Sequence, residues 1–175
     1  MLKKNFFKRK ADIVAKELLG KILCRRIDGK VLKSKIVETE AYFGEDDPAS
    51  RACKGKNKIS EMMWESPGKI LIYNVHKYKM LNFITGKEGE ASAVLIRALE
   101  PLNFKARTSG PGLLTDSLKI EKTFHGESIF ELKELFLENS NEEFEIIESS
   151  RIGVSKDLPV KLRFYIKDNN FISKK

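Results

Sequence analysis

Residues 21–43, KILCRRIDGKVLKSKIVETEAYF, decide the fold class. KILCRRI reads as a strand and Asp28-Gly29 as a two-residue hairpin turn, a pair that tolerates positive φ at both central positions. VLKSKIVETEAYF is the return strand, in which Leu32, Ser34, Ile36 and Glu38 alternate onto one face. The hairpin therefore delivers the segment Glu38 to Tyr42 near the end of a long strand.

Upstream, ADIVAKELL (residues 11–19) spaces its apolar residues for one amphipathic helix, and Gly20 follows where the helix must end. Downstream, a polar loop with Pro48 and Gly55 runs to Lys58, and a short helix is predicted from Ile59 to Glu65, stopped by Ser66-Pro67-Gly68. KILIYNV, Met80 to Ile84 and SAVLIRAL read as strands, with Gly86 to Gly89 as a turn. Residues 111–120 and 128–136 have helical spacing, and FEIIE and KLRFYIK are the last two strands expected. Connections of hairpin length predict an α+β fold: a single mixed domain over residues 1–175, with a largely antiparallel curved sheet and helices packed around it.

Composition narrows the function classes. No apolar run approaches the roughly 20 residues needed to span a bilayer. The basic N-terminus lacks a cleavage site, so a cytoplasmic protein is expected, associated with the nucleoid through DNA. Cys24 and Cys53 are far apart and without CxxC spacing, which predicts two reduced thiols. His76 and His125 are the only histidines, too few for a typical metal site, so no metal is expected. A net charge of +8 favours a polyanionic partner, and Lys54, Lys56 and Lys58 alternate in the loop after the long strand. Charge of this kind also fits a merely solvated surface.

Several residues could carry chemistry. Glu38 and Glu40 share a face of the strand, so either one could act as a general base in a cleft or both could be solvated. Tyr42 and Tyr73 could form stacking walls for a flat ligand or pack at the core edge. Arg97 lies in the apolar run AVLIRALEP and either turns to solvent or pairs with a group in a functional cleft; Asn82 in MLNFI poses the same question.

VETEAYFG followed by DDPAS, then KILIYNV with MLN, AVLIRALEPL, TSGPGLL, RIGV and LRFYI, resemble in this order the motifs of the alkyladenine (3-methyladenine) DNA glycosylase family, over nearly the whole chain. The resemblance implies a monofunctional hydrolase of N-glycosyl bonds. It would act on alkylated or deaminated purines flipped out of double-stranded DNA, as a monomer, and would leave an abasic site without strand cleavage. It implies no metal and no organic cofactor. Glu40 matches the family's water-activating carboxylate, Arg97 and the main-chain carbonyl of Ile152 match the groups that hold that water, Tyr42 and Tyr73 match the walls of the base pocket, and Asn82 matches the residue that screens the base. The chain departs from the pattern at Arg51, where many relatives have a histidine that contacts the base, and at Leu113, where a lysine is frequent. The residue that wedges into the DNA matches His76 or, with a one-residue adjustment, Tyr78. A catalytically silent lesion-binding module and an RNA-directed module are the competing readings, the latter without an RRM or KH signature.

Overall fold

The computed structural model describes residues 2–174. Among them, α1 (Lys4–Phe7) and α2 (Ala11–Leu18) precede the hairpin of β1 (Ile22–Ile27) and β2 (Lys30–Tyr42). Asp28 and Gly29 both take positive φ, as the turn requires. Then follow β3 (Ile70–Val75), β4 (Tyr78–Ile84), β5 (Ala93–Pro101), α3 (Pro111–Ser117), β6 (Leu135–Glu138), β7 (Ile146–Ser149) and β8 (Arg163–Ile166). The short helix expected near residues 59–65 is a 3-10 turn, Glu61–Trp64.

All strands join one antiparallel sheet in the order β3-β4-β5-β2-β1-β6, with β8 alongside β2 and β7 outside it. The architecture is the α+β arrangement expected. The thirteen-residue β2 organises it, pairing with β5 along one edge and with β1 and then β8 along the other.

One expectation fails. Residues 128–136 carry helical spacing, but the segment turns and then runs as β6 against β1, with Cys24 opposite Phe136 and Ile22 opposite Glu138. β1 offers an edge that would otherwise be unpaired, and Leu135 and Leu137 alternate inward to full or nearly full burial. Tertiary pairing outweighs the local pattern there.

The main core lies between the sheet and α2. Val14, Ala15 and Leu18 pack with Ile36, Val37, Ile96, Ala98 and Phe164. Thr39 points to this side and donates to the Ala15 carbonyl at 2.8 Å, satisfying one of the acceptors that a helix leaves free in its last turn. Gly20, at φ +79°, lets the chain leave α2 directly beneath Phe144; a Cβ there would lie 2.5 Å from the ring. A second apolar cluster of Ala52, Met63, Leu71, Ile84 and Ala93 supports Tyr42 and Tyr73. Both cysteines are free, and burial pushes the Cys24 thiol up to about 11. Among the described residues no helix is long and apolar enough to cross a membrane.

Candidate active site

Alternation along β2 sends Thr39 toward α2 and Glu38 and Glu40 to the opposite face. The register between β2 and β5 is broken at this point: Ile36 faces Leu99, Glu38 faces Ala98 and Thr39 faces Ile96. Val37 and Arg97 are thereby left out of the pairing, the kind of irregularity that re-aims a side chain. Arg97 turns onto the carboxylates, with Nε 3.2 Å from Glu38 Oε1 and Nη1 3.1 Å from Glu40 Oε2. Of the two readings of Arg97, pairing within a buried cluster is the one observed.

The two carboxylates, both fully buried, differ in how completely they are occupied. Glu38 accepts from Arg97 Nε, Arg163 Nε (2.7 Å), Ser173 Oγ (2.8 Å) and the Ser173 N–H (2.5 Å). Four donors converge on it, three on Oε1 and one on Oε2, one more than Glu40 receives, and they come from β5, β8 and the C-terminal segment. Glu40 accepts from the Ile152 N–H at 2.7 Å on Oε1, and from the Tyr42 hydroxyl at 2.8 Å and Arg97 on Oε2. One position on Oε1 stays open. Burial raises the Glu40 pKa above the ordinary glutamate range, against the opposing pull of Arg97, the Ile152 N–H and Tyr42. Tyr42 is driven far above the usual phenol range by burial and by the neighbouring Glu40 charge, so its hydroxyl remains a neutral donor. Ile152 meets the carboxylate through its N–H, whereas the family resemblance assigns the role to its carbonyl.

Tyr42, Tyr73, Asn82 and Arg51 line one cavity, together with Ala49, Met63, Leu71 and Ala93. The first four come from three strands and a loop. Asn82 donates to the Leu71 and Met80 carbonyls at 3.3 and 3.1 Å, which answers how a buried amide is satisfied in MLNFI. The Arg51 guanidinium lies 5.0 Å from the Tyr73 ring centre. A larger cavity, about 140 Å³, is lined by Leu2, Ile129, Phe130 and Leu137 and holds no ionisable side chain. Among the described residues no three His, Cys, Asp or Glu side chains come together.

His76 and Tyr78 separate clearly. His76 sits exposed in the two-residue turn between β3 and β4, at φ +53°. Tyr78 is half-buried against Gly112, where a Cβ would lie 2.5 Å from its ring; the glycine in TSGPGLL is there for this approach.

Three residues that the sequence reading did not single out complete the site. Arg151, its side chain fully buried, holds both oxygens of Asp47 at 2.7 Å, reaches Asp157 at 2.5 Å and donates to the Ala41 carbonyl at 2.9 Å. Its guanidinium also lies 4.6 Å from the centre of the Tyr42 ring. Burial disfavours the charge on both members of the Arg151–Asp47 pair, but their mutual hydrogen bonds prevail, raising Arg151 above and lowering Asp47 below its usual range. Asp47 in turn accepts from the Phe43 and Ala49 N–H groups, so one ion pair fixes the end of β2, the loop bearing Arg51 and the segment bearing Ile152. Arg163, within the apolar stretch LRFYI, is a charge in an apolar strand just as Arg97 is in AVLIRALEP.

Comparison with known proteins adds to this geometry. A family model described as methylpurine-DNA glycosylase matches residues 5–170. A protein of Aeropyrum pernix provisionally named 3-methyladenine DNA glycosylase is 41% identical over 181 residues, covering 99% of this chain and 93% of the relative. Proteins of the same provisional name from Clostridium tetani and Clostridium botulinum are 40% and 39% identical over 201 residues, and each alignment covers at least 99% of both chains.

Proposed function

The chain belongs to the methylpurine-DNA glycosylase family, and from that premise we propose that it hydrolyses the N-glycosidic bond of alkylated or deaminated purines flipped out of duplex DNA. The observation that carries the proposal is Glu40: a buried carboxylate with one acceptor position open, joined through the Tyr42 hydroxyl to an aromatic-walled cavity.

Cleavage of the bond between C1′ and the purine nitrogen builds positive charge on the sugar. An ionised Glu40 beside it stabilises that charge and takes the proton from the water that adds to C1′, as in glycoside hydrolysis. Arg97 and the Ile152 N–H flank the carboxylate, and on the family pattern Arg97 and the Ile152 carbonyl hold the water. An alkylated purine that is already cationic departs neutral and needs no proton, whereas a deaminated base such as hypoxanthine must be protonated as it leaves. Tyr42 and Tyr73 form the walls against which the flat base stacks, and Asn82 screens its edge. No lysine is placed near Glu40 by this reading, so the product is an unbroken strand with an abasic site.

The DNA is met by the β3–β4 turn and by the loop after β2. His76 at the tip of its hairpin is the residue free to enter the gap left by the flipped nucleotide, since Tyr78 is held by packing on Gly112. Lys54, Lys56 and Lys58 are all exposed on the loop that follows the site and supply charge for the phosphates. One protein molecule suffices for this engagement.

The test is to incubate the protein with alkylated duplex DNA and identify what is released. Free methylated purine, with a matching yield of abasic sites and no strand breaks, is expected. Tight binding to the lesion with no free base would identify a silent binding module instead.

A further inference from the structure

The cavity between Tyr42 and Tyr73 retains only about 10 Å³ of free volume, room for one water molecule and far too little for a purine. Part of its lining is Arg51, whose guanidinium carbon lies over the Tyr73 ring, 5.0 Å from its centre and within cation–π reach, on the ring that a flat base would stack against. The Tyr73 ring itself is held by the second apolar cluster and cannot recede easily. Arg51 can. Its side chain is exposed, and among the described residues no carboxylate pairs with it, in contrast to Arg9, Arg97, Arg151 and Arg163. The backbone around it is anchored, since Ser50 N donates to the Asp47 carbonyl at 2.9 Å and Ala52 N to Ser50 Oγ at 3.1 Å. The side chain is therefore the movable part of this wall.

Resting on the glycosylase reading above, we propose that Arg51 occupies the base's seat on Tyr73 in the free protein and determines which damaged purines are accepted. To admit a base, the guanidinium moves off the ring to the rim of the cavity, within reach of the base edge. There it presents only donors and a permanent positive charge. A neutral purine with oxygen and nitrogen acceptors on its edge, such as hypoxanthine, receives hydrogen bonds from it, the geometry by which arginine reads O6 and N7. A cationic alkylated purine brings a second positive charge into a confined, partly desolvated space, where repulsion is only partly screened. Arg51 thus favours deaminated over cationic bases, against the direction set by the stacking walls alone.

The experiment compares kcat/KM for release of hypoxanthine and of 3-methyladenine from duplex DNA at matched salt, in the wild type, Arg51→Ala and Arg51→Lys. Arg51→Ala is expected to slow hypoxanthine release by roughly tenfold, the scale of one charge-assisted hydrogen bond, and to speed 3-methyladenine release. Arg51→Lys keeps the charge but not the planar fork, so it should lose hypoxanthine release while still holding 3-methyladenine release below that of the alanine variant. A ratio of the two substrates unchanged in both variants overturns the assignment even if each rate falls. No release of either base by any of the three proteins overturns the glycosylase reading, and the role of Arg51 with it.

Discussion

Glu40→Gln is expected to bind lesion-containing duplex as the wild type does and to lose base release by roughly 10²- to 10⁴-fold, the range for removing a positioned general base. Glutamine keeps the shape of the side chain but cannot accept the proton from water. Its single NH2 group must take the place either of Oε1, which faces the Ile152 N–H, or of Oε2, which faces the Tyr42 hydroxyl and Arg97, so one native donor contact is lost in either orientation. Single-turnover release with excess enzyme, beside a binding titration on the same preparation, separates the two effects. Glu38→Gln makes the contrast. Glu38 gathers Arg97, Arg163 and Ser173 and has no contact with the tyrosine walls, so its loss should appear chiefly in thermal stability.

Arg151→Met should be the most destabilising single change at the site, by about 3–5 kcal/mol, because it leaves Asp47 charged, fully buried and without its partner. For a domain of this size that corresponds to a fall in Tm of roughly 10 °C. Adding Asp47→Asn removes the stranded charge and should recover much of the loss in a thermal melt. It should not recover base release, because Tyr42 and Ile152 lose the group that positions both segments. If the double variant is no more stable than Arg151→Met, the cost lies elsewhere than in the unpaired carboxylate.

Much of the fold is legible because local signals agree with the tertiary structure. The Asp28-Gly29 turn and the alternation after it specify the β1–β2 hairpin, and the end of α2 at Gly20 follows from a residue that alone tolerates the required φ beneath Phe144. β6 is not legible, since Leu135 and Leu137 take strand alternation only because the edge of β1 is available to them. The site divides along the same line. Glu40, Arg97, Tyr42, Tyr73 and Asn82 stand out as residues whose chemistry conflicts with their apolar strands or that match family motifs. Arg151 and Asp47 fall inside the motifs RIGV and DDPAS, but in loops where charge is ordinary, and nothing local links positions that meet only when the chain is folded. That Arg51 rests on Tyr73 is likewise a fact of packing.

The pH dependence of single-turnover release tests most directly whether an ionised Glu40 drives the reaction. A cationic substrate such as 7-methylguanine needs no acid catalyst, so the acid side of the profile reports the carboxylate alone. Because burial raises Glu40, the folded protein binds its proton more tightly than the unfolded chain does. Stability therefore rises as pH falls through the Glu40 pKa, while activity is lost over the same window. The expected profile has an acid limb above the ordinary glutamate range, displaced to still higher pH in Tyr42→Phe, which removes a donor that favours the charged form. A rate that stays flat down to the ordinary carboxylate range, or a limb that does not move in Tyr42→Phe, would contradict it.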